Sequence, residues 1–373
     1  MNTKKVKREP GLGWVLGNAL ERSRSLTLLF LFLFIIALPI ALLIIGRENY
    51  SFLTSRPSYL ITDYLAGHLN SILLPLHAVL GFLSLAALVV LASVQFRTLY
   101  IKNAVDKEAS MPLDRNQQFF GRVLALLIDL TLIFAVTGSI TWFILSGWGF
   151  GDHFMAYLPL FIRLFVTLLE LTAFSLVFLV LSGTLFDAFL TAIGIQLAWV
   201  TSIFHILDMT GRLHDPPSFL LWLLTPAAGP FTSMIWPLSL LRTALMIVLW
   251  TLLAWYLYRR RPSENAGVRS GRLAWHAYIQ PLYVLFGGIN LGRFVHALFA
   301  WNRQESIFQS PVFYIGLAAG AILGQLTSTA ISGGLIRKQP PMRQILPIIS
   351  GLLLFGLLTA LIQLGIAPAV SPW

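Results

Sequence analysis

Cysteine is absent from the 373 residues, and charge is scarce, with Asp, Glu, Lys and Arg together at 11%. The first absence excludes disulfides, thiolate nucleophiles and metal or iron-sulfur centres held by cysteine; it leaves the redox compartment open. The second excludes an ordinary water-soluble domain, in which about a quarter of the residues are charged. Recognisable nucleotide and hydrolase motifs are missing too. There is no G-x-x-x-x-G-K-[ST] loop, no H-E-x-x-H helix and no G-x-S-x-G turn. The glycine pair of ISGGL at 331–335 lies in an apolar run, not in a phosphate loop. If ATP drives this protein, another chain has to bind it. No catalytic residue, metal set or cofactor is assigned to this one.

What is present is apolar: 57% of the residues are hydrophobic and the mean hydropathy is +0.78. Runs of about 20 residues recur, each long enough to cross a bilayer as a helix. The expected fold class is an all-α polytopic membrane protein with nine spans. These fall at 25–46, 71–95, 119–147, 156–182, 184–206, 233–257, 275–299, 313–335 and 346–367. The stretch 156–206 would be roughly 75 Å long as one helix, against a hydrocarbon core of about 30 Å, so it must turn. Gly183 in LSGTLFD is the expected turn. The run after MNTKKVKREP exceeds the apolar core of a signal peptide, about 7–15 residues, and is expected to remain as the first span.

The net charge of +11 follows topology rather than nucleic acid. With the N-terminus in the cytoplasm, 19 of the 26 Lys and Arg residues fall in the head, in 97–122, in 259–272 and in 337–343, all on one side. This orients the chain and divides it. Residues 1–24 form a cytoplasmic head with an interfacial amphipathic helix, because Leu12, Val15, Leu16, Ala19 and Leu20 recur at helical spacing. Residues 25–257 form a six-helix core with a cytoplasmic loop at 96–118 and an external, proline-fenced cap at 215–231. A basic linker follows at 258–274, then three C-terminal helices within 275–373.

Ionisable residues inside spans are candidates for function, since a charge at the bilayer centre costs several kcal/mol unless paired or hydrated. They include Asp129, Arg163, Glu170, Asp187, Arg242 and Arg293. Arg163 and Glu170 are two helical turns apart on one face of the fourth span and could line a substrate path. Interhelical ion pairing, or snorkelling to the interface, is the commoner fate of such residues. His68, His77, His153, His205 and His214 fall on or near the outer side, with no pair at ligand spacing, and no metal site is assigned.

Three stretches resemble bacterial ABC-transporter permeases of the exporter type, the type-2 permeases. The first is FRTLYIKNAVDKEASMPLDRNQQFFGRVLALLI, between spans two and three, where Ser110, Met111, Pro112, Leu113, Arg115 and Phe119 match a family pattern. The second is YLYRRRPSENAG at 256–267, with Arg260, Arg261 and Glu264; the third is LVFLVLSGTLFDAFL, a small-residue turn between spans four and five. The resemblance covers roughly 10–267, and spans seven to nine are an addition to the simplest family layout. It implies a permease subunit in the bacterial cytoplasmic (inner) membrane, paired with an identical or related permease and with two copies of a separate ATPase that carries ATP and Mg. Lipids, peptides and hydrophobic drugs are the implied cargo classes.

By the same resemblance the loop between spans two and three is a coupling helix seated in the ATPase. The implied contact residues are Asp106, Lys107, Glu108, Met111, Pro112, Leu113, Arg115 and Phe119. The residues themselves agree: 97–110 has helix-forming composition, and Pro112 disfavours helix at Met111. An ordinary solvated loop would have the same charge. Two other functional classes stay open, an ion-coupled secondary transporter and an intramembrane enzyme. The first calls for inverted repeats, and no clear repeat is visible; the second calls for a convergent polar cluster with a nucleophile or metal set.

Overall fold

In the computed structural model, the described residues are 11–44, 76, 79–110, 113–147, 151–210, 236–262, 265–268, 275–299, 307–331 and 341–363. Among them the regular structure is helical throughout. Eight helices are long and apolar enough to cross a membrane, against the nine expected. The ninth run does form a helix, Pro341–Gln363, but its described apolar part is the shorter Ile345–Ala360. The external cap expected at 215–231 lies outside the described residues.

The chain divides into two compact units: Met1–Thr98 with Asn103–Thr172, and Leu99–Lys102 with Ala173–Trp373. The first holds α1, Leu12–Ile44, and α2, Val79–Tyr100, up to Thr98; α2 closes in a 3₁₀ turn at Arg97–Tyr100 whose last two residues belong to the second. A short helix α3, Lys102–Ala109, is followed by α4, Arg115–Gly147, and α5, Gly151–Leu181. The amphipathic stretch expected at the interface is continuous with the first span, since α1 runs unbroken from Leu12. Nothing between Leu20 and Ser25 breaks a helix, and the face Val15, Ala19, Ser23, Thr27, Phe30 and Phe34 is buried at spacings of three and four.

That face packs along α4, whose buried residues include Phe119, Arg122, Leu126, Asp129, Ile133 and Phe134. Both helices have 33 residues and are therefore roughly 50 Å long, about 20 Å more than the hydrocarbon needs. The N-terminal parts of both pack together, with Val15 of α1 against Gly121 of α4. Deeper in, Phe34 and Phe134 meet edge to face with centroids 5.4 Å apart, and Phe134 also meets Phe161 and Phe165. A π-helical turn at Ile36–Ile40 accommodates Pro39, which has no N–H to donate.

The second unit holds the end of α5, then α6, Leu185–Met209, α7, Trp236–Arg260, α8, His276–Phe299, α9, Pro311–Ile331, and α10, Pro341–Gln363. The expected turn is where the chain turns: α5 ends at Leu181 and α6 starts at Leu185, with Thr184 capping Asp187 N–H at 3.2 Å. A core forms where Ile203 and Ile206 of α6, Leu285 and Ile289 of α8, Phe313 of α9 and Leu358 of α10 meet. The closest pair is α8 with α9. Gly316, Gly320 and Gly324 recur every fourth residue and face α8, so that a Cβ on Gly320 would lie 2.2 Å from the carbonyl oxygen of Gly287. Lipid gives no hydrophobic drive between helices, and small residues that allow backbone approach supply packing instead.

The outer surface has the opposite character from a soluble protein. Leu28, Phe32, Phe143, Leu245, Ile315 and Leu353 are all exposed. In α7 little of the apolar length is buried, so most of that helix presents apolar side chains outward. The chain has the structure of a helical, multi-span membrane protein.

Candidate functional site

The segment between α2 and α4 breaks at Ile101, so the helix expected over 97–110 is shorter and starts at Lys102. It ends at Ala109, where Ser110 N–H donates to Asp106 O at 3.1 Å and Ser110 Oγ donates to Lys107 O at 2.8 Å. A hydroxyl that folds back on the last turn in this way competes with further helix. Met111 and Pro112 lie outside the described residues, as does the side chain of Glu108.

The chain restarts under its own cap. Asp114 Oδ1 accepts from Asn116 N–H at 3.3 Å, Asp114 Oδ2 accepts from Asn116 Nδ2 at 2.6 Å, and Gln118 N–H reaches Asp114 O at 3.1 Å. Arg115 is therefore the first residue of α4 and is exposed, while Phe119 is fully buried one turn later. Of the coupling candidates, Asp106, Lys107 and Arg115 face outward, Leu113 is half-buried, and Phe119 anchors the start of α4. Lys107 and Leu113 also line a cavity beside α1 and α4.

The second and third sequence stretches meet each other. Arg261 reaches under the end of α5, donating from Nη1 to Leu179 O at 3.3 Å and also to Val180 O, while Nη2 donates to Leu99 O at 3.0 Å. These are carbonyls in the last turns of two helices, which carry partial negative charge and lack intrahelical donors. Tyr100 Oη donates to the same Leu179 O at 2.6 Å, and its ring lies 5.5 Å from the guanidinium. Burial pulls Arg261 below its ordinary pKa, opposed by Tyr100 and Tyr258, and a guanidinium stays charged at neutral pH all the same.

The following turn completes the clasp. Gly267 N–H donates to Gly183 O at 2.7 Å and Trp275 Nε1 to Leu181 O at 3.0 Å. A Cβ on Gly183 would stand 2.0 Å from Val268 O, so only glycine fits. Arg261 is thus held inward, while Arg260 is exposed and stacks over Tyr256 at 4.4 Å. Glu264 lies outside the described residues. The pairing of these two stretches is not readable from either alone; the signal is that a Gly-containing turn and an Arg-Pro turn each interrupt helical runs.

Glu170 is buried and Arg163 is half-buried on α5. The apolar cleft of about 410 Å³ in the first unit is lined by Phe134, Trp142, Phe161 and Phe165, and neither Arg163 nor Glu170 lines it. A polar cluster that spacing did not reveal lies nearby in the same unit: Asp129 is buried against Ser23, Thr27 and Gln95. Gln95 Nε2 donates to Ala19 O at 3.1 Å and stands 3.5 Å from Asp129 Oδ2.

In the second unit, Arg293 pairs with Asp208 at 2.5 Å and with His205 Nδ1 at 2.6 Å, and His205 Nε2 meets Asn290 Oδ1 at 3.0 Å. An amide oxygen only accepts, so His205 carries its proton on Nε2 and accepts from Arg293 on Nδ1. His68, His77 and His214 lie outside the described residues. Among the described residues no group of three His, Cys, Asp or Glu could hold a metal ion. No family model, curated protein or solved structure matches the chain.

Proposed function

We propose that this chain is the transmembrane subunit of an ATP-driven ABC exporter in a bacterial inner membrane, moving a lipophilic or peptidic cargo by coupling to a separate ATPase. The observation that carries the reading is α3. An eight-residue helix with Asp106 and Lys107 exposed stands between the second and third long apolar helices, ended by Ser110 and followed by an Asp114-capped restart. Such a rod transmits a push only if its ends are fixed. One end follows Tyr100, which is bonded to Leu179 O; the other leads into α4, whose Phe119 is fully buried. A short exposed helix between two fixed ends suits a groove in a soluble ATPase, the partner this reading requires.

The cycle then needs two states with different affinity for ATP and cargo, which ATP closure of two partner ATPases exchanges. Crosslinking tests the contact. A photoreactive residue in place of Lys107 or Leu113 should capture a phosphate-loop ATPase in membranes, while the same residue in place of Leu245, exposed in mid-α7, should not. Equal capture at all three positions, or at none, removes the support. Asp129, buried among Ser23, Thr27 and Gln95, favours the second reading, an ion-coupled carrier. Transport driven by an ion gradient in ATP-free vesicles would select it.

A further inference from the structure

We propose that the cavity between α1, α2, α3 and α4 binds a phosphate-bearing anion, presented by the headgroup of an anionic phospholipid. The cavity has a volume of about 260 Å³, and its charged lining is entirely basic among the described residues: Arg22 of α1, Lys107 of α3 and Arg122 of α4. These come from three separate elements, so their convergence is a product of the fold. Arg122 is 4% exposed, which makes this a built site rather than a loose surface patch. Neutral hydrogen-bonding groups fill the gaps between the cations, with Asn18, Gln118 and Thr98 on the walls. Gln95 Oε1 and Thr98 Oγ1 are buried with no hydrogen-bond partner among the described residues. Thr98 can donate to a phosphate oxygen, and Gln95 Oε1 can accept from a headgroup hydroxyl or a water.

Phosphate fits this lining because it offers several acceptor oxygens and at least one negative charge to guanidinium and ammonium donors. The lipid source follows from position. Trp14 forms part of the rim and is half exposed, as an indole at the headgroup level of a bilayer would be. Arg22 of α1 and Lys107 of α3 are exposed and line the same cavity as Trp14. The basic side of the chain is the side that faces anionic lipid, and basic pockets between spanning helices suit such headgroups. The inference does not depend on an ATPase, and it gives α3 a second tie to the membrane, because Ala104 and Lys107 form one wall.

The test uses the full chain in nanodiscs of phosphatidylcholine, with retained lipid read by native mass spectrometry and thermal stability read in parallel. Phosphatidylglycerol should be retained over phosphatidylcholine and should raise Tm. The double variant Arg22→Gln with Lys107→Gln, both exposed positions, should weaken retention about thirtyfold, at about fivefold per charge lost near the surface. Arg122→Lys should keep most of the binding, and Arg122→Gln should lose most of it. Inorganic phosphate is the second probe. Protection by millimolar phosphate without lipid preference would place the same anion chemistry in solution and overturn the lipid assignment. No preference for phosphatidylglycerol, or a preference the double variant leaves intact, overturns the site.

Discussion

Arg261 illustrates how a single side chain decides local architecture. Its guanidinium satisfies carbonyls at Leu179, Val180 and Leu99, which belong to two different helix ends. A lysine presents one ammonium on a flexible stem and cannot span them in the same fork. Arg261→Ala should lower stability by about 2–4 kcal/mol, because it strands buried acceptors as well as removing a charged donor. Thermal unfolding in detergent should show the loss, and Arg261→Lys should recover only part of it. Arg260→Ala should change Tm little, since Arg260 is exposed over Tyr256. If the two alanine variants behave alike, the clasp is not a structural feature. Gly183→Ala is a sharper probe of the same turn: a methyl 2.0 Å from Val268 O forces the turn apart, at about 1–3 kcal/mol or more.

The sequence marks Arg261 only as one of three consecutive arginines, and their different fates depend on helix phase and on a partner turn some eighty residues away. Gly183 was readable because 156–206 is too long for one span and needed a break. Asp129 was visible as a charge inside a span; its setting was not, since Ser23, Thr27 and Gln95 come from two other helices.

At the scale of elements, the spans follow from hydropathy because lipid requires every backbone group to be satisfied within a helix. Their ends are less readable. The amphipathic start of α1 suited an interfacial helix by pattern, yet the same apolar stripe found α4 and extended the span. The glycine repeat of α9 is plain in GLAAGAILG once α8 is seen against it. Gly320→Leu should separate α8 from α9 and lower Tm by several degrees, whereas Leu323→Ala, at an exposed position, should be close to neutral. For α3, Val105→Pro should interrupt the helix at a cost of about 3 kcal/mol. That loss should fall on coupling more than on the folding of α4, which has its own cap at Asp114. Limited proteolysis confined to 102–113, with transport lost, is the expected pattern.

For the whole molecule, composition and run length gave the class, while contact within the helices divides the chain in a way no linker announces. The boundary at Thr172 and Ala173 lies inside α5, and the three C-terminal helices share a unit with α6. Orientation rests on the distribution of Lys and Arg. Reporter tags at residues 108 and 264 should be cytoplasmic and one at 215 external; the reverse pattern would move α3 away from any cytoplasmic ATPase.

We propose that α3 and the start of α4 seat a separate ATPase subunit. The affinity of the purified chain for candidate phosphate-loop ATPases is to be compared with that of a variant in which Pro112, Leu113 and Arg115 are all replaced by alanine. The native chain should co-elute with two copies of an ATPase, and the triple variant should bind at least tenfold more weakly while keeping its helical content. Unchanged binding by the triple variant, or no association of the native chain, would contradict it.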